Sequence, residues 1–193
     1  MSHPSQKFDC ANIITIRSTK PILSKIIKFL EGDSGVFDFN RLCPIPTELA
    51  DMELFAIGTT DYYYFREVFK ASGNELLTIE WVMENCIDLF TLRRLKKQYG
   101  FLSRQDWCVK NWGVMVNAHN SNYVQNDKED DRFCELVYCF DTMWSEPQQI
   151  YDLLFVYLQS LQHPAHFEWY FKDSGQNYEG YMEPSGHIAG IDT

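Results

Sequence analysis

Residues 10–17, CANIITIR, are rich in β-branched side chains and read as a strand, and a helical pattern begins almost at once. Ser18 or Thr19 can cap it, Pro21 suits a first turn, and Ile22, Leu23, Ile26, Ile27 and Leu30 recur at helical spacing opposite Lys25 and Lys28. A strand handing directly to a one-sided helix must fold that helix back over a sheet. A second hand-over of the same kind comes later. Arg132 to Phe140 reads as a strand, and Ile150, Leu153, Leu154, Tyr157, Leu158 and Leu161 then form an apolar stripe behind Ser145, Glu146 and Pro147, which suit a helix start. Phe167 to Phe171 and Tyr178 to Met182 are two aromatic strands whose connection carries Asp173, Ser174 and Gly175, a hairpin signal.

Between these blocks the pattern is less regular. Gly32 and Gly35 bracket a turn before a short extended piece, Val36 to Phe39, and two prolines in PIPTEL exclude a central strand, with Thr47 placed to open a short helix. Asp61 can cap a helix carrying Tyr64, Phe65, Val68 and Phe69, and another falls within Ile79 to Tyr99, with Arg93, Arg94, Lys96 and Lys97 in its last turns before Gly100. Ser103 and Asp106 form a capping-box pattern for a helix through Asn111. A mainly helical insertion at about 41–112 within a single domain follows. Val114 to Ala118 is expected to leave Gly113 as a strand, joined to Arg132–Phe140 by a long polar loop, Asn120 to Asp131.

Composition narrows the class. With 45% apolar and 16% aromatic residues in 193, the chain can bury a core of its own. No apolar run has the ~18–20 residues of a membrane helix and the first residues lack a signal-peptide pattern, so no membrane association and a cytoplasmic location are expected. Six cysteines without a CxxC pair suit reduced thiols rather than disulfides. The net charge of −10 is unevenly spread: residues 1–99 hold 12 Lys and Arg against 13 Asp and Glu, residues 100–193 hold 5 against 14. An acidic second half repels a phosphate backbone and attracts a basic protein surface, so direct nucleic-acid binding is disfavoured.

Two tryptophan corners punctuate that half: Trp112 with Gly113, then Asn117, before one apolar run, and Trp144 with Ser145 and Pro147 after the next. A ring beside a glycine or a cap can seal such a junction, so these motif residues read as architecture. Together with ANIITIRST, VFDFNRLCPIPTEL, QYGFLSRQDWCVKNWGVMVNA, CFDTMWSEPQQIYDLL and WYFKDSGQNYEGYM, they resemble the YubB-type family of ferredoxin-like domain proteins from phages and conjugative plasmids. The likeness runs over most of the chain and is loosest between about Asp51 and Leu95. It implies an α+β fold, a ferredoxin-like antiparallel sheet with helices packed on one face, in a protein of a mobile element, including those that blunt host defence. It implies no catalytic residues. Met115 and Val116 replace the lysine and second aromatic that family members carry after Trp-Gly, and Glu146 stands where they carry a first proline.

No enzyme pattern competes strongly. His163 and His166 with Cys134 and Cys139 lack zinc-finger spacing, and Pro164 interrupts any helix that would align the imidazoles, so no metal or cofactor is expected. Cys108 and His119 could be neighbours across a corner, yet no nucleophile signature surrounds them, and SGQNYEGY lacks the spacing of a phosphate-binding loop. Tyr170, Tyr178 and Tyr181 could form a base-stacking platform, but basic residues are missing. The remaining feature is NDKEDDR, where Asp127, Glu129, Asp130 and Asp131 make an acidic patch expected to bind a partner. The sequence therefore points to a non-enzymatic inhibitor of a host defence complex of CRISPR-effector or restriction type, acting on a host protein or ribonucleoprotein with a basic surface. The alternatives are an enzyme assembled at the tryptophan corners, and a nucleic-acid-binding or regulatory module using Arg93 to Lys97.

Overall fold

The computed structural model describes residues 9–50, 89–101, 103–126, 134–161, 165–175 and 177–185. The chain divides into two compact units, Met1–Pro44 with Cys108–Thr193, and Ile45–Trp107. The described elements, numbered in chain order, are β1 (Asp9–Ser18), α1 (Lys20–Leu30), a 3₁₀ turn (Phe39–Arg41), α2 (Thr47–Ala50), α3 (Leu89–Tyr99), α4 (Arg104–Trp112), β2 (His119–Asn126), β3 (Cys134–Met143), α5 (Gln148–Gln159), β4 (His166–Asp173) and β5 (Tyr178–Tyr181).

The first unit is built on an open, wholly antiparallel sheet in the order β2-β3-β1-β4-β5. The chain is thus an α+β protein. β1 lies at its centre, pairing with β3 along ten residues and with β4 along eight. Alternation then assigns the faces: Cys10, Asn12, Ile14, Ile16 and Ser18 of β1 and Cys134, Leu136, Tyr138, Phe140 and Thr142 of β3 are all buried. α1 closes over them with Ile22, Leu23, Ile26 and Leu30, and α5 with Ile150, Tyr151, Leu154 and Leu158. Phe29 of α1 stacks on Tyr157 of α5, ring centroids 4.1 Å apart. Tyr151 reaches Trp169 of β4 at 5.8 Å, which sets α5 on the same face as the buried strand residues.

Aromatic rings fill this core. Phe37 stacks on Phe140 at 4.7 Å and meets Tyr138 at 5.3 Å, while Phe140 meets Trp169 edge-on at 5.6 Å. Asn12 is the polar member. Its carboxamide oxygen accepts the Trp169 indole N–H at 3.0 Å, and its NH₂ donates to Thr142 Oγ1 at 2.9 Å and to the Cys10 carbonyl at 2.8 Å. Burial pushes the neighbouring Cys10 thiol up to about 12, with the charges of Glu146 and Asp173 adding to the effect. The described cysteines are free thiols.

In the second unit, Leu49 and Leu95 are buried, and Glu48 of α2 accepts hydrogen bonds from Arg94 and from Tyr99 of α3. α3 ends at Gly100, whose φ of +79° and N–H bond to the Lys96 carbonyl are those of a left-handed cap. Ser103 Oγ accepts the Asp106 N–H at 3.1 Å, as its capping pattern predicts. The helix expected from Asp61 lies outside the described residues.

Two expectations need correcting. Val114–Ala118 is not a strand; the strand is His119–Asn126, drawn from the stretch expected to be polar loop. β2 is an edge strand, so ladder bonds to β3 hold it while most of its side chains stay exposed, and no apolar alternation marks it. Val114 and Ala118 are nevertheless buried, as irregular backbone leading into the sheet. Nor does Ser145 cap α5: the N-cap position is Pro147, with no side-chain cap bond.

Candidate interaction face

The sheet face away from α1 and α5 is the chemically distinctive surface of the first unit. Register places Ile13, Thr15 and Arg17 of β1 there, beside Glu135, Val137, Cys139 and Asp141 of β3, Glu168, Tyr170 and Lys172 of β4, and Glu179 and Tyr181 of β5. Neither helix covers them: Ile13 is 41% and Tyr181 70% exposed. Val124 of the edge strand, opposite Val137, extends the apolar content.

Charge on this face is ordered. Arg17 bridges Glu135 on one flanking strand at 3.0 Å and Glu168 on the other at 3.5 Å. Lys172 pairs with Glu179 at 3.1 Å. Hydrogen bonding from Tyr170, then from Lys172, holds the Glu179 carboxyl below the usual carboxylate range, and the same contacts raise the Tyr170 phenol and the Lys172 ammonium. Such exposed pairs add little stability. They do fix side-chain positions. Counting Asp9 with Glu135, Asp141, Glu168 and Glu179, the described residues of the face carry five carboxylates against Arg17 and Lys172.

Ile13, Thr15, Glu168, Tyr170 and Tyr181 line an open hollow of about 280 Å³. That is below the usual ~300–1,000 Å³ of small-molecule pockets and is walled on one side only, so it suits a protruding side chain of a macromolecule. Tyr170 and Tyr181 meet edge-on at 5.5 Å. Tyr178 belongs elsewhere, its ring against Phe171 at 5.4 Å, so the three tyrosines weighed as a base-stacking platform are split between the two faces.

The residues singled out by the sequence lie apart from this face. Asp127, Glu129, Asp130 and Asp131 are outside the described residues. Trp112 is 1% exposed, meets Phe39 edge-on at 5.6 Å, and its indole N–H donates to the Cys43 carbonyl at 2.9 Å. Gly113, at φ +86°, brings the two corners together: a Cβ there would fall 2.3 Å from Gln149 Oε1 and 3.1 Å from the Gln148 nitrogen, and its carbonyl accepts the Ser145 hydroxyl at 3.4 Å. Asn117 accepts the Phe39 and Ala118 N–H groups, each at 2.9 Å, and donates to Asp38 at 2.6 Å, tying the 3₁₀ turn to the entry of β2. Trp144 differs from its counterpart, being 45% exposed with φ +73°.

Sequence reasoning weighed His119 with Cys108 and missed its convergence with Asp9 and Asp141 at one end of the open face, where the three could hold a metal ion. Their only signal is strand register, which is invisible until β2 is located.

Comparison with known proteins adds no relative: no family model matches the chain, and no curated protein or solved structure matches it. No described helix is long and apolar enough to cross a membrane.

Proposed function

We propose that this chain is a non-enzymatic interaction protein that docks through the open sheet face onto the cationic surface of a nucleic-acid-handling host complex and inhibits it, a defence complex of CRISPR-effector or restriction type being the class implied. One observation carries the reading: five carboxylates, the exposed side chains of Ile13 and Tyr181 and the half-buried ring of Tyr170 share one uncovered face with, among the described residues, two cations, each already paired. Such a surface offers apolar contact area ringed by negative charge, which suits an Arg- and Lys-rich protein groove and repels phosphate. The order β4-β1-β3-β2, with α1 following β1 and α5 following β3, supports a ferredoxin-like sheet, extended here by β5, and membership of the YubB-type family belongs to the same proposal.

Affinity capture from the host cytosol followed by mass spectrometry tests it, using the wild type, a face variant (Glu168→Lys with Tyr181→Ser) and a loop variant with Asp127, Glu129, Asp130 and Asp131 all changed to lysine. The expected result is a nucleic-acid-handling partner retained by the loop variant and lost by a folded face variant. Loss with the loop variant alone transfers the contact to the loop. A partner retained by both overturns the electrostatic reading.

A further inference from the structure

At the end of the open face, three adjacent strands deliver three different metal-binding side chains to one point. Asp9 opens β1, Asp141 lies in β3 opposite Ala11, and His119 opens β2 directly opposite Asp141. One donor atom of each lies within 4.8 Å of the others, and all three residues are partly exposed. His119 Nε2 is 3.6 Å from Asp9 Oδ1, beyond a hydrogen bond. Donors bound at ~2.0–2.2 Å to a common ion stand roughly 3–3.5 Å apart, so small side-chain rotations would close this set around one ion.

A bulge produces the convergence. Between His119 and Asn122 the β2 strand advances three residues while β3 advances two, from Asp141 to Cys139, and Asn120 absorbs the excess at φ +53°. In regular pairing consecutive residues would point to opposite faces. Here His119 stands opposite Asp141 while Asn120 also reaches it, its NH₂ donating to Asp141 Oδ2 at 2.9 Å. That bond orients the carboxylate and leaves its other oxygen free to turn toward an ion, as an outer-shell partner does.

From this geometry we infer that Asp9, His119 and Asp141 form a binding site for a first-row divalent transition-metal ion, with water completing the shell. One imidazole and two carboxylates, without thiolate, favour Zn²⁺, Co²⁺ or Mn²⁺ over Cu⁺, and the imidazole disfavours Mg²⁺ and Ca²⁺. A bound ion would pin the start of β1 to the edge strand and cancel two of the face's negative charges. Asp9 and Asp141 are also two of the five carboxylates counted on the open face, but metal binding needs no docking partner and is tested without one.

Titration of metal-free protein with Co²⁺, followed by visible absorption, tests this directly. The expected result is saturation at one ion per chain, with ligand-field bands and no sulfur-to-cobalt charge transfer, displaced by Zn²⁺ and unaffected by excess Mg²⁺. His119→Ala and Asp141→Asn should abolish the bands, and Asn120→Ala should weaken binding by about 10-fold. Should a variant unfold, wild-type protein still decides: Mn²⁺ should broaden the amide NMR signals of Asp9, His119 and Asp141 first. Absence of saturable binding, a thiolate band, bands that survive both substitutions in folded protein, or broadening centred elsewhere would overturn the assignment.

Discussion

Trp169 and Asn12, separated by 157 residues in the chain, meet inside the sheet, where the indole N–H donates to the carboxamide oxygen at 3.0 Å. The bond begins a relay: Asn12 donates to Thr142 Oγ1, which donates to the Ser145 carbonyl at 2.7 Å. Register brings the partners to the same buried face, since Asn12 stands opposite Phe140 in β3 and Phe171 in β4, each two residues from a member of the relay. Replacing Asn12 by Ala leaves a buried indole N–H and the Thr142 hydroxyl short of a partner. The expected loss is ~2–4 kcal/mol in urea unfolding, with Thr142→Val costing less because the Asn12 NH₂ keeps the Cys10 carbonyl.

The two tryptophan corners should respond in opposite ways. Trp112 is packed and hydrogen-bonded, so Trp112→Ala is expected to cost ~3–5 kcal/mol. Trp144 holds a left-handed backbone with a half-exposed ring, and Trp144→Gly removes that strain, so its stability should be unchanged or higher by up to ~1 kcal/mol. Thermal melts of the two variants check both signs.

Tyr138 is fully buried against Phe37 and Tyr123, and its hydroxyl has no hydrogen-bond partner among the described residues. Burial raises its phenol well above the ordinary value. Tyr138→Phe deletes an unsatisfied polar atom while keeping the ring, so stability should be unchanged or rise by up to ~1 kcal/mol. A decrease larger than that in a denaturant titration would mean that the hydroxyl has a partner.

On the open face, Glu179 titrates below its ordinary range while Tyr170 and Lys172 titrate above theirs. The lowered carboxyl contributes stability that is present above its unfolded value and lost as pH falls through the folded value. The raised phenol and ammonium contribute stability present below their unfolded values and lost as pH rises through the folded ones. The cluster is therefore intact at neutral pH and opens at both extremes. Tyr170→Phe removes the first cause of the Glu179 shift, so a side-chain NMR titration should show the Glu179 midpoint moving up toward 4.5.

Local pattern made much of this molecule legible. β1 and α1 could be read because five residues on one face of the strand and four on one face of the helix are buried, leaving both periodicities intact. α5 followed for the same reason, the β4–β5 hairpin from its aromatic runs and its turn residues Asp173, Ser174 and Gly175, and the Ser103 cap because its bond is local. β2 could not be read. An edge strand is held by ladder bonds that any side chain permits, so HNSNYVQN carries no mark of the strand it forms. The candidate site shared that obscurity: Asp9, His119 and Asp141 converge through cross-strand register and a bulge, and Ile13 and Thr15 share a hollow with Tyr170 and Glu168 through pairings more than a hundred residues apart in sequence. The amino-acid order alone determined which segments must bury a face. Which opposite face stayed open, and which distant charges met upon it, was decided by strand pairing, because register depends on the partner strand as much as on the segment itself.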